Sequence, residues 1–536
     1  MYYTIYNMLI CYKPIITPVM KKIALSVLLI LISAIAFAQA GLQVTVANGM
    51  LQGTVDSAGI RSFKGIPYAQ PPVGDLRWKG PQAPQNWNGV RMADHFGNQA
   101  MQRRVYSDMM FRSSGVSEDC LYLNVWTPAK TAKEHLPVLV YFYGGGFSAG
   151  DGSEYRYDGE SLATHGIVTV TINYRLGVFG FLAHPELTQE SPNHASGNYG
   201  LMDQHTALEW VKKNIAAFDG DPDKVTIGGE SAGSMSVSVQ AASPLSKGLF
   251  RGVIAESGAC FANLSPMALS AAEQNGVKFM HAINAASIAD MRKIPADSLL
   301  KIAAAGRFSV DVDGYFLPHS PQDIFSAGDE MHVPLLVGWN SAEVDYHGIL
   351  GGDEPTIDNY KKALTKYAPD NADALFRLYP AANDTDVKKI ATALASDRFI
   401  VFSTWKFAYL QSKTSGKPVY RYVFATKRPA MTNGNPNNTQ MGASHASEIE
   451  FALGNLSTNK VYSWTPDDYK ASNTMESYFA NFIKSGNPNG NGLPDWPTLQ
   501  KGQVIHIDAN TYAEPEQNLD RYLKLDSLNS TATAGR

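Results

Sequence analysis

The run Val225-Thr226-Ile227-Gly228-Gly229-Glu230-Ser231-Ala232-Gly233 holds the residues best suited to covalent chemistry. A β-branched stretch stops at Gly-Glu-Ser-Ala-Gly, and small and apolar residues follow from Ser234 onward. The spacing predicts a strand, a sharp turn with Ser231 at its tip, and a helix, which is the G-x-S-x-G nucleophile elbow. Gly229 and Gly233 flank the tip, where neighbouring backbones come too close for a Cβ. A serine so placed is a nucleophile for acyl transfer once a base takes its proton. A second stretch, Gly144-Gly145-Gly146-Phe147, follows the apolar run from Leu136 to Tyr143. Glycines at the end of a strand let backbone N–H groups converge on one point, as the oxyanion of a tetrahedral intermediate requires.

Both stretches need a rigid frame. Leu136–Tyr143 and Ile167–Ile172 are near-continuous apolar runs, the pattern of strands covered on both faces. Val225–Gly228, Phe250–Glu256 and Val333–Trp339 continue the series, and Pro418–Phe424 is expected to be the last central strand. Leu208–Ala217 reads as a helix between two strands. Strands alternating with helices give an α/β class chain: a large, mostly parallel central sheet with helices on both faces. Segments 265–305 and 355–415 are rich in helix formers and read as helical insertions. Val44–Gly53 has the look of an edge hairpin. Phe63–Ala69 leads into a Pro-rich stretch ending at Gly80-Pro81, expected as ordered coil on the surface of the core. Arg77 and Glu118 are expected to form a structural ion pair. No Pro/Ser-rich linker divides the chain, so residues 41–536 are expected to form a single catalytic domain.

Composition narrows the function classes. The 536 residues are 44% hydrophobic and 18% charged with a net charge of −4, which leaves no basic footprint for nucleic acid. Met20-Lys21-Lys22, the apolar stretch Ile23–Phe37 and Ala38-Gln39-Ala40 together have the order of a signal peptide ending before Gly41. Residues 1–40 are therefore expected to be removed, with Met20 as an alternative translation start. Export to the periplasm or medium, with no stable membrane anchor after cleavage, follows from that reading. Of the cysteines Cys11, Cys120 and Cys260, the first would leave with the signal. Two cysteines are no disulfide framework, and pairing between Cys120 and Cys260 stays open. There is no nucleotide motif and no metal-ligand spacing, so neither cofactor nor metal is expected.

The motifs together resemble the type-B carboxylesterase/lipase family, which includes the cholinesterases. Glu118-Asp119-Cys120-Leu121-Tyr122-Leu123-Asn124 is similar to one family signature, and Phe218–Gly233 resembles the serine signature. The likeness extends through Asn173-Tyr174-Arg175-Leu176-Gly177, Asp313-Gly314 and Gly442-Ala443-Ser444-His445. It implies an α/β-hydrolase fold and a serine carboxylic ester hydrolase. Ser231 matches the nucleophile, His445 the base, and Glu343, shortly after Val333–Trp339, the acid. Their chain order is the α/β-hydrolase order. The resemblance makes the N–H groups of Gly145, Gly146 and Ala232 the oxyanion donors, and Glu230 a pocket carboxylate. The chain departs from the family at Asp219, where Gly or Arg is usual, at Ala100, where many members place the partner of Cys120, and at Val344, where glycine is usual. An amidase or thioesterase would use the same triad. A non-catalytic adhesion relative would lack the nucleophile that is present here.

Substrate preference rests on the loop Met101–Asp119. Cholinesterase-like relatives place a cation-binding tryptophan there; this loop has none. Tyr106, Met109, Met110 and Phe111 are the candidate pocket residues, with simple packing onto the core as the alternative. The expectation is an adaptable, mainly apolar pocket for small-molecule neutral esters. A histidine base should lose its rate below about pH 6.

Overall fold

The computed structural model describes residues 42–534, apart from Ser107, 130–132, 304–307 and 435–440. The expected signal segment, 1–40, lies outside the described residues. Eleven strands form the main sheet. In chain order they are β1 (Thr54–Val55), β2 (Arg61–Pro67), β3 (Tyr122–Thr127), β4 (Leu136–Phe142), β5 (Val168–Ile172), β6 (Gly220–Glu230), β7 (Gly252–Glu256), β8 (Leu335–Asn340), β9 (Val419–Phe424), β10 (Gln503–Ile507) and β11 (Tyr512–Pro515). Their spatial order is β11-β10-β9-β8-β7-β6-β4-β5-β3-β2-β1. The run from β10 to β5 is parallel throughout, and the pairs at either end are antiparallel. Every residue of β5, β7 and β8 is buried, because helices flank the sheet and leave no wet face for polar side chains.

Helix α1 (Tyr199–Asn214) precedes β6, and α2 (Ala232–Ala242) leaves it at the elbow. The helix expected at Leu208–Ala217 thus starts earlier. It closes in a 3₁₀ turn, Ile215–Phe218, capped by Asp219 at φ 66°. A left-handed residue is needed there, which aspartate tolerates better than most, and its carboxylate is 3.0 Å from Arg61. Segment 265–305 contains helices Leu269–Ala282, Ile288–Lys293 and Ala296–Ala303. In 355–415, α3 (Asp384–Ser396) and α4 (Phe402–Thr414) are joined by a π-helical turn at Asp397–Val401. Among the described residues no helix is long and apolar enough to cross a membrane.

Two expectations change. Pro418–Phe424 does not end the sheet: β10 pairs parallel to β9, and β11 returns antiparallel. The Gln-Val-Ile-His-Ile sequence of β10 is short and mixed, and only its neighbour makes it a strand. Phe63–Pro67 is not coil but the end of β2, paired with β3 across a register shift between Phe63 and Ile66. The stretch beyond it is surface coil as expected, with Pro71, Val73, Gly74, Asp75 and Lys79 exposed, while Tyr68 and Trp78 turn inward into the core. Val44–Gly53 does form the hairpin expected of it, as a separate small sheet.

Cys120 and Cys260 are both buried and both free. Burial raises the Cys120 thiol well above its ordinary value and pushes that of Cys260 up to about 12. Ala100 is also buried. The base of the loop 101–119 is closed without a crosslink. Gln99–Ala100 pairs in parallel with Val116–Ser117. Arg77 holds Glu118 by two hydrogen bonds of 2.6 Å, the ion pair expected from sequence.

Candidate active site

Ser231 sits between β6 and α2 with φ 56° and ψ −120°. A non-glycine residue pays strain in that region. The site over-determines it: the Ser231 N–H donates to the Glu256 carbonyl at 2.9 Å, and the Met235 N–H to the Ser231 carbonyl at 2.8 Å. Glycine is required on both sides. A Cβ on Gly233 would lie 2.0 Å from the Phe142 carbonyl oxygen, and one on Gly229 2.5 Å from the Gly233 backbone. After β4 the chain turns through Gly145 at φ 111° and Gly146 at φ 62°. A Cβ on Gly145 would strike the Ala149 carbonyl. The N–H groups of Gly145 and Gly146 make no hydrogen bond among the described residues. That of Ala232 opens α2 and so has no partner within the helix.

His445 lies on the loop after β9. Its Nε2 is 2.9 Å from the Ser231 Oγ, and its Nδ1 is 2.7 Å from Glu343 Oε2. Glu343 is fully enclosed behind it. Its Oε1 accepts from the Asn340 N–H at 2.7 Å and contacts the Ser257 Oγ at 2.6 Å. Asp345, two residues on, is turned away, with its carboxylate 3.0 Å from the His347 Nδ1. His205, on α1, contacts the Ser246 hydroxyl at 3.2 Å and takes no part.

Acidic groups crowd this histidine. Glu230 Oε1 is 3.3 Å from the His445 Nε2, and that oxygen is otherwise without a hydrogen-bond partner. Burial raises the Glu230 carboxyl to about 8, against the pull of His445. Burial alone would depress His445, but the Glu230 carboxylate and the Glu343 hydrogen bond outweigh it and raise the imidazole to about 9. The acid limb of a rate that needs neutral His445 therefore moves upward from the pH 6 expected of an ordinary histidine. Glu448 lies deeper, 2.7 Å from the Ser257 Oγ. The Ser257 hydroxyl has one proton and touches two carboxyls, so it can donate to only one. Burial, then the Glu343 charge, raises Glu448 to about 7. A protonated Glu448 can donate to Ser257, which then donates to Glu343 and keeps that carboxylate ionised.

Ser231, Ala232, Gly145, Gly146, His445, Glu230, Tyr106 and Met109 all line one cavity of about 440 Å³. Glu343 stands behind the histidine. Met110 and Phe111 do not line this cavity. Met110 is 49% exposed and borders a separate cleft. The loop is also better restrained than an uncrosslinked segment would be. Gln102 exchanges two hydrogen bonds of 2.8 Å with Gly150, and Arg112 reaches the Ser153 carbonyl at 2.8 Å.

Sequence reasoning missed Ser257, Asn340 and Glu448 behind the acid, and Leu264, Phe399 and Ile400 in the cavity wall. Phe399 stands edge-on to His445, with ring centroids 5.0 Å apart at 84°. It comes from the π-helical turn, a local widening that often marks functional positions but leaves no signature in spacing. Asn340 did carry a signal, being the residue at which β8 ends, three before the acid.

A family model described as the carboxylesterase family matches residues 40–524. The chain is 35% identical over 489 residues to a fumonisin B1 esterase of Sphingopyxis macrogoltabida, covering 85% of each chain. It is 34% identical over 505 residues to para-nitrobenzyl esterase of Bacillus subtilis, covering 90% of this chain and 98% of that one. Among solved structures, a carboxylesterase of Geobacillus stearothermophilus superposes with a TM-score of 0.77 at 30% identity. That match covers 90% of this chain and 99% of the other.

Proposed function

The chain belongs to the carboxylesterase family, has the α/β-hydrolase fold of its structural neighbours and is a carboxylic ester hydrolase, and from that premise we propose that it works through an acyl-enzyme on Ser231. The Ser231 Oγ attacks the ester carbonyl as His445 Nε2 takes its proton. The tetrahedral oxyanion is held by the N–H groups of Gly145, Gly146 and Ala232. His445 then protonates the leaving alcohol, and water repeats the sequence on the acyl-enzyme. Glu343 fixes the tautomer that leaves Nε2 free to accept and stabilises the imidazolium. The observation that carries this reading is the unbroken chain from the Ser231 Oγ through His445 to Glu343, at 2.9 and 2.7 Å.

Met109, Met235, Leu264 and Ile400 in the cavity wall favour apolar, uncharged groups beside the ester. Residues 1–40 act as an export signal on this reading, and residues 41–536 fold as one catalytic domain. Treatment with an organophosphate should give one covalent adduct per chain, on the peptide containing Ser231, with loss of ester hydrolysis in proportion. Modification elsewhere, or inactivation without an adduct on that peptide, overturns the assignment.

A further inference from the structure

The backbone of His445 is anchored both before and after the imidazole. Its own N–H donates to the Glu343 carbonyl at 3.1 Å. The next residue, Ala446, stands at φ 62°. That is the left-handed region, where the Cβ of an alanine crowds the following carbonyl and no polar side chain is available to bond locally. Left to itself, the alanine would relax to negative φ and swing the peptide that follows the histidine. The 2.9 Å contact between His445 Nε2 and the Ser231 Oγ has little slack for such a movement. A strained residue persists only where its surroundings hold it.

The holding group is Arg428, on the chain just beyond β9. Its Nη2 donates to the Ala446 carbonyl at 2.6 Å. The guanidinium is itself fixed from other directions. Its Nη2 is 3.0 and 2.8 Å from the two carboxylate oxygens of Glu450. Its Nη1 donates to the Tyr462 hydroxyl at 3.1 Å and lies 3.9 Å from the Asp108 carboxylate. Glu450 is fully buried and also accepts from the Asn459 amide at 2.6 Å, so it cannot follow a moving guanidinium. Arg428 is buried too, and it does not line the serine cavity. A purely structural ion pair needs only Arg428 and Glu450. The bond to the one strained carbonyl beside the catalytic histidine is additional to it.

We propose that Arg428 is a positioning residue for ester hydrolysis: by bonding the carbonyl of left-handed Ala446 it sets the His445 imidazole against Ser231. The inference rests on the serine esterase reading above and adds to it a residue that touches neither the substrate nor a triad side chain. Arg428→Lys keeps the positive charge that Glu450 needs. It loses the planar fork, and a single ammonium drawn to Glu450 leaves the Ala446 carbonyl unheld. With p-nitrophenyl butyrate, kcat should fall about ten- to hundredfold while KM stays within about threefold. Glycine adopts positive φ freely, so adding Ala446→Gly to Arg428→Lys should restore about fivefold or more of the lost kcat. Ala446→Gly in the wild-type background should bring no such gain, which makes the two sites non-additive. Should Arg428→Lys fail to fold, Arg428→Gln with Glu450→Gln removes both buried charges together, and the same loss and the same recovery are expected. A kcat within about threefold of wild type in these variants, or a loss that Ala446→Gly does not lessen, overturns the proposal. Undiminished hydrolysis by Ser231→Ala would instead bring down the serine esterase reading.

Discussion

The corner around Ser231 and the loop 101–119 face each other across one cavity and are built in opposite ways. In the corner each functional atom has its position set by backbone. Ser231 is held at φ 56° by contacts to Glu256 and Met235, and Glu343 is anchored by the Asn340 N–H. The loop is fixed at its two ends, at Ala100 and Glu118, and tied at Gln102 and Arg112 by hydrogen bonds to Gly150 and Ser153. In between, Val105, Tyr106 and Met110 are exposed, and Met109 and Met110 border different hollows. On the proposed mechanism turnover depends on the first region and selectivity on the second, so substitutions in the two should differ in kind as well as in size.

The sharpest break is Ser231→Ala. Ester hydrolysis should fall by roughly 10⁴–10⁶ while the thermal transition stays in place. Activity close to wild type would mean the corner is not the catalytic region. Next comes Glu343→Gln, with an expected loss of roughly 10³–10⁴, set against Asp345→Asn, whose carboxylate faces His347 and should cost less than about threefold. Steady-state kinetics on one chromogenic ester ranks the two, and the reverse order would detach Glu343 from the histidine.

A smaller effect separates charge from position. Glu230→Gln removes a carboxylate 3.3 Å from the His445 Nε2. A neighbouring negative charge favours the protonated imidazole, so its loss lowers the His445 pKa. The acid limb of the kcat/KM profile should then move to lower pH by about one unit. A limb that stays put, or moves up, contradicts that coupling. The smallest contrast lies within the loop. Met109→Ala should change kcat/KM for a small apolar ester by about three- to tenfold, since Met109 lines the cavity. Met110→Ala should stay within about twofold. Equal effects would show that Met110 reaches the serine cavity as Met109 does.

The same contrast explains what the sequence discloses. The elbow, the glycine turn and the order of the strands are short-range patterns, and steric rules convert them directly into backbone shape. Glu343 and His445 are visible only through a family resemblance, because nothing in their local spacing brings residues 102 positions apart to 2.7 Å. Ser257 and Glu448 were illegible because their importance arises from burial against one another. Met110 and Phe111 fail for a related reason: in an irregular loop no period of 2 or 3.6 decides which way a side chain points. The strand β10 was lost among loop-like residues because pairing with β9, and not its own pattern, defines it.

The two uncrosslinked cysteines carry a consequence for where the protein can be made. Among the described residues the loop base is closed by β-pairing and by Arg77–Glu118, and neither described cysteine calls for an oxidant. Thiols are nucleophilic as thiolates. Cys120 and Cys260 are held neutral by burial, so neither offers a handle for mispairing, glutathione or alkylating reagents while the fold is intact. Synthesis in a reducing cytoplasm and in an oxidising compartment should yield the same active molecule, indifferent to dithiothreitol and to oxidised glutathione alike.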